Sequence, residues 1–143
     1  MDKKSVYDTL LSFYASKAPS KAARSELCNE LVRSLSYVDW AGFYEVEGDT
    51  LYLTTYVGSL ACERIPVSNG VCGKCVREGK PQLVPNVHEL PYHIACSSST
   101  NSEIVLPIIR NGAVVAVLDL DSDAPSAFDE VDLKYLRELC RYM

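Results

Sequence analysis

Cys72, Cys75, His88 and His93 follow one another as C-x2-C-x12-H-x4-H, the ligand spacing of a two-Cys two-His zinc finger. The chemistry on offer is a structural zinc ion that holds a nucleic-acid-reading helix. The residues between the ligands argue against it. Pro91 stands between the two histidines, where it breaks the one helix that must present both, and Pro85 interrupts the stretch earlier. Gly79 and Pro85 also occupy positions where a finger needs apolar plugs. No structural zinc is expected, and His88 and His93 read as loop hydrogen-bonders.

A second set of residues offers different chemistry: three cysteines and three acids. Cys62 lies in "SLACERIP" beside Arg64, Cys72 in "GVCG", and Cys96 after "PYHIA" in a polar loop. Glu103 opens one apolar run, while Asp119 and Asp121 close another. Two apart on a strand, these aspartates share a face. Acids at the end of "AVVAVL" cost desolvation energy unless they have work to do there. The bland alternative is that Asp121 caps the following turn with Ser122 and Asp119 is a partly solvated strand end. Spacing alone leaves both open. It also leaves open whether Trp40 and Tyr44 are site or core, and whether Cys75 is packing or a solvent-facing thiol. Cys28 and Cys140 sit on helical core stripes and read as packing.

The rest of the chain bounds what such a set could serve. Its 14 Lys plus Arg against 19 Asp plus Glu give a net charge of −5, without the cation excess that phosphate binding needs. No nucleic-acid partner is expected. At 143 residues and 48% hydrophobic, the chain suffices for one domain burying about two-thirds of its surface. "MDKKSVYDTLLSFYASK" has only a broken apolar stretch, and no segment reaches the roughly 20 apolar residues of a membrane span. The expectation is a cytoplasmic protein with no membrane partner. There, six cysteines point to metal binding, catalysis or packing rather than a disulfide scaffold.

The elements that must position these residues are readable in outline. Ser5 to Ala15 carries Val6, Leu10, Leu11 and Tyr14 at helical spacing, and Ser20 caps a helix with Leu27, Leu31 and Leu35 on one stripe. "WAGFYEV" and "TLYLTTYV" form a hairpin through Glu47, Gly48 and Asp49. "GVCGKCVREG" is a short helix stopped by Gly79. "PQLVP" is an edge strand bounded by prolines. Residues Asn86 to Asn101 make a long polar loop of the kind that carries function. "EIVLPII" and "AVVAVLDLD" flank an Asn111-Gly112 turn and are apolar throughout, so the sheet is covered on both faces. A last helix starts near Asp129 with Leu133, Leu136 and Cys140 inward. This order predicts an α+β fold: a central, mostly antiparallel sheet flanked by helices on both faces. It is one domain over 1–143, with N-terminal helices in 1–36, sheet and active-site loops in 40–121 and a C-terminal helix in 129–142.

"WAGFY", "ACERIP", "GVCG", "LVPNVHELPYHIACSSSTNSEIVLPI", "NGAVVAVLDLDS" and "FDEVD" together resemble the free methionine-(R)-sulfoxide reductases, single-domain enzymes on a GAF fold. The resemblance runs from about Trp40 to Asp132. It implies thiol-dependent reduction of free methionine-(R)-sulfoxide, with Cys96 as nucleophile, Cys62 as resolving thiol and Cys72 as a third redox-linked cysteine. It further implies Glu103, Asp119 and Asp121 as substrate-binding acids and Trp40 and Tyr44 as an aromatic wall. No metal or organic cofactor is needed. The free sulfoxide is the partner so implied; a thioredoxin-type dithiol would regenerate the thiols, and a homodimer is one open option for a chain whose oligomeric state the sequence does not give. Cys75, and Ser97 where the family often has Asp, depart from the pattern. The competing expectation is a GAF-type module that senses a small molecule without catalysis.

A three-acid site also makes a demand on strand register. A two-residue Asn111-Gly112 turn would set Glu103 opposite Leu120, facing away from both aspartates. The expectation is therefore a three-residue loop, Arg110-Asn111-Gly112, with a bulge at Gly112 and Ile109 closing against Ala113. That register sets Glu103 opposite Asp119.

Overall fold

Local sequence signals place the helices. The computed structural model describes residues 2–91 and 99–143, so His93 and Cys96 lie outside the described residues. α1 (Lys3–Tyr14) begins two residues earlier than expected because the Asp2 carboxylate caps it, accepting the Ser5 N–H at 2.9 Å. α2 (Lys21–Ser34) begins at the Ser20 cap, whose Oγ accepts the Ala23 N–H at 3.0 Å, and it buries Leu27 and Leu31. α3 (Gly70–Glu78) ends at Gly79 in the left-handed conformation, φ 64°. α4 (Glu130–Cys140) is capped by Asp129 in a capping box with Asp132. Its inward face is Asp132, Tyr135, Leu136, Leu139 and Cys140, whereas Leu133 is only partly buried.

Six antiparallel strands form one sheet in the order β3-β2-β1-β6-β5-β4. They are β1 (Trp40–Glu47), β2 (Thr50–Val57), β3 (Arg64–Pro66), β4 (Gln82–Val84), β5 (Ser102–Arg110) and β6 (Ala113–Ser122). Neither edge strand exceeds three residues. β4 is the edge that its prolines predict; β3 escaped the sequence reading because Ile65 is its one buried residue. Alternating side chains split the sheet residues between two cores. Ala41, Phe43, Ile104, Leu106, Ile108, Leu118 and Leu120 pack under α1, α2 and α4. Trp40, Tyr44, Val105 and Val117 lie on the opposite face with Val71, Cys72 and Cys75 of α3. Both faces are thus covered, and the fold is the expected α+β. No helix among the described residues is long and apolar enough to cross a membrane.

The β5–β6 register corrects the expected loop. Arg110 pairs with Ala113 across a two-residue turn, Asn111 and Gly112 both having positive φ (53° and 78°), the conformation Asn-Gly favours in hairpins. The extra residue sits further along β6: Ile109 pairs with Val114 but Ile108 with Ala116, leaving Val115 in a bulge. Glu103 consequently lies opposite Asp121 rather than Asp119. The shift still restores the face that the plain two-residue hairpin would have lost, because one inserted residue moves every later side chain across the sheet.

Candidate active site

Three strands and one helix bring the acids, the aromatics and one thiol together. Trp40 pairs with Asp121 and Gly42 with Asp119 across β1–β6, while Glu103 pairs with Asp121 across β6–β5. Glu103, Asp119, Asp121, Trp40 and Tyr44 therefore share the α3 face of the sheet. From α3, Cys72 closes the group: its Sγ and a carboxylate oxygen from each of Glu103 and Asp119 lie within 4.8 Å of one another.

The cluster is dry. Glu103 is 6% exposed, Asp119 5% and Cys72 4%. Burial, followed by the neighbouring carboxylates, holds Glu103, Asp119 and Asp121 well above their ordinary range. Charged carboxylates packed together in low dielectric repel, so the cluster retains protons. Burial and then the charge of Asp119 push the Cys72 thiol well above its usual value as well. Asp119 Oδ1 and Asp121 Oδ1 are buried without a hydrogen-bond partner. Two orphaned acceptors at a desolvated cluster call for a donor that none of the described residues supplies.

The aromatic pair tethers a neighbouring loop. Trp40 Nε1 donates to the Ser59 carbonyl at 3.0 Å and Tyr44 Oη donates to the Cys62 carbonyl at 2.9 Å. Both therefore hold the β2–β3 loop that carries Cys62. Their ring centroids are 6.3 Å apart, and Tyr56 stacks on Trp40 at 5.9 Å. Gly42 makes this seat possible, since a Cβ there would fall 2.3 Å from the indole ring. Sequence reasoning passed over Gly42 and Tyr56. A glycine inside the strand "WAGFY" was the available sign of a close approach.

The remaining cysteines divide plainly. Cys28, Cys72, Cys75 and Cys140 are buried free thiols among the described residues, and Cys62 is not one of the free set. Burial pushes Cys28 and Cys140 up to about 12, the state of inert packing residues. Cys75 is buried on α3 rather than solvent-facing, with Sγ against the Val105 carbonyl at 4.0 Å. His88 is not turned to the cysteines: its Nε2 meets Asn101 Oδ1 at 2.9 Å, bridging the two ends of the long loop.

This fold and site define a class. Residues 21–143 match the GAF domain family, and the chain belongs to that family. Within it, the chain is 44% identical over 109 residues to a free methionine-R-sulfoxide reductase of Escherichia coli, covering 76% of this chain and 66% of that one. It is 46% identical to protein YtsP of Bacillus subtilis, covering 76% and 68%. Among solved structures, the free methionine-R-sulfoxide reductase of Neisseria meningitidis in complex with its substrate superposes with a TM-score of 0.91. That pair is 37% identical, covering 99% of this chain and 88% of that one. The chain spans 60% to 68% of the length of the curated relatives it matches.

Proposed function

We propose that this protein reduces free L-methionine-(R)-sulfoxide to methionine, with Cys96 as nucleophile and Cys62 as resolving thiol. The observation that carries the reading is the pair of orphaned, buried aspartate oxygens beside Glu103. An amino-acid ammonium has the donors they lack, and a peptide-bound residue does not. The likeness to relatives named for this activity points the same way.

The chemistry follows from the cluster. A retained carboxyl proton hydrogen-bonds the sulfoxide oxygen, which makes the sulfur electrophilic. The Cys96 thiolate attacks that sulfur, the sulfoxide S–O bond breaks as its oxygen and a proton pass to the Cys96 sulfur as a sulfenic acid, and methionine leaves. The Cys62 thiol condenses with it, forming a Cys62–Cys96 disulfide and water. A thioredoxin-type dithiol then reduces the disulfide and is itself oxidised, as in a reducing cytoplasm. Cys62 suits the resolving role better than Cys72, whose burial and acidic neighbours keep its thiol protonated. Trp40 and Tyr44 shape the space for the S-methyl end.

The test is incubation of the reduced protein with L-methionine-(R)-sulfoxide and a thioredoxin system, reading free methionine. Turnover of the R epimer, lost in Cys96→Ser and confined to the first cycle in Cys62→Ser, is the expected result. Binding without turnover would instead identify a GAF-type sensing module. Unchanged cycling in Cys62→Ser would move the resolving role to Cys72.

A further inference from the structure

We infer that Cys72, Glu103 and Asp119 form a site for a thiophilic divalent cation, zinc foremost, which occupies the pocket in place of the substrate's ammonium. One thiol and two carboxylates with donor atoms within 4.8 Å of one another are three protein ligands of the kinds zinc accepts. Zinc bonds of about 2.3 Å to sulfur and 2.0–2.2 Å to oxygen place such donors about 3.5 Å apart, so a side-chain contraction of at most about 1.3 Å from the 4.8 Å limit closes them on one ion. Asp119 Oδ1 and Asp121 Oδ1, buried atoms without a hydrogen-bond partner, are a second sign of a missing cation beside the spacing of the donors. A thiolate donor disfavours magnesium and calcium and favours zinc. Binding replaces the Cys72 S–H proton and the proton retained by the acids with the metal, and releases those protons to water. The ion here is a competitor and not a cofactor: it takes the acids that the proposed reaction needs.

The inference shares its pocket with the proposed function, and its test needs no turnover. Protein carrying Cys62→Ser and Cys96→Ser, which lacks the two reaction thiols, is dialysed against zinc and the bound metal counted. One zinc ion per chain is expected. Affinity should fall at least about tenfold when Cys72→Ser or the isosteric Asp119→Asn is added, and stay unchanged with Cys75→Ser on the same helix. Free methionine at saturation should displace the ion. Thermal melts confirm that each variant is folded, and zinc should raise the melting temperature only where the site is intact. Absence of stoichiometric zinc, binding that survives Cys72→Ser, or binding indifferent to methionine would each overturn the inference. Zinc binding in a protein whose wild type forms no methionine would overturn the functional reading and leave the metal site standing.

Discussion

Tyr44 shows how much one residue carries. Its ring packs on the α3 face of the sheet and its hydroxyl holds the Cys62 carbonyl, so on the proposed function loop position and substrate contact can be separated by removing one atom. Tyr44→Phe keeps the ring and frees the loop. The expected outcome is an unchanged first turnover with thioredoxin-coupled cycling slowed several-fold, consistent with the loss of a hydrogen bond worth about 1 kcal/mol. Rapid-quench measurement of methionine in the first cycle, beside steady-state rates, checks it. Equal slowing of both phases would show that the hydroxyl serves the substrate and not Cys62. The types of the site residues were legible in the sequence because acids inside apolar strands and paired aromatics are conspicuous. Their tethers were not, since a bond from Tyr44 to a carbonyl 18 residues away leaves no mark in local spacing.

At the scale of elements, what could be read was what is local. Ser20 and Gly79 mark helix ends because caps act within one turn, and Asn111-Gly112 specifies its own turn. Val115 could not be recognised as a bulge, because it stands in "AVVAVL" with no glycine or polar residue to distinguish it from its neighbours. The joint between α1 and α4 was equally hidden. Asp132, fully buried, accepts from Tyr7 Oη at 2.6 Å, Tyr37 Oη at 2.5 Å, Lys3 Nζ at 2.9 Å and the Asp129 N–H at 2.9 Å. Every lone pair directed at a neighbour is used, and burial together with this carboxylate pushes both tyrosines far above their ordinary range. Asp132→Ala strands those donors. It should cost about 3 kcal/mol, or roughly 10 °C in melting temperature for a chain of this size. Differential scanning calorimetry reads the loss directly, and a shift within a degree or two would refute the joint's importance.

For the whole molecule, the acid cluster sets stability against pH. Glu103, Asp119 and Asp121 hold protons in the folded state that the unfolded chain releases near pH 4. Their contribution is complete below that value and is lost as pH rises through the folded-state range. Cys72 on α3 and Tyr44 on β1 face the cluster and, by remaining neutral, do not offset its charge. Asp2 and Asp129, held below their usual value chiefly by the Ser5 N–H and the Lys3 ammonium, act in the opposite sense. Replacing one buried acid of the cluster isolates its share. Glu103→Gln should melt close to wild type near pH 5 and at least about 3 °C higher at pH 8, a gain of roughly 1 kcal/mol, while activity falls. A gap that does not widen with pH would mean the cluster is better solvated than its burial indicates.

The two ends of the sheet have a consequence of another kind. β3 and β4 are three residues each, and Pro66, Pro81 and Pro85 lie in or beside them. A proline there withdraws a backbone donor, and so short a run offers an incoming strand little to template on. Two copies meeting in concentrated solution are therefore steered toward contacts through helices and turns. The long apolar strands that would nucleate fibrils, β5 and β6, are kept off the two ends of the sheet, β6 between β1 and β5, and β5 covered by β4 from Glu103 to Val105.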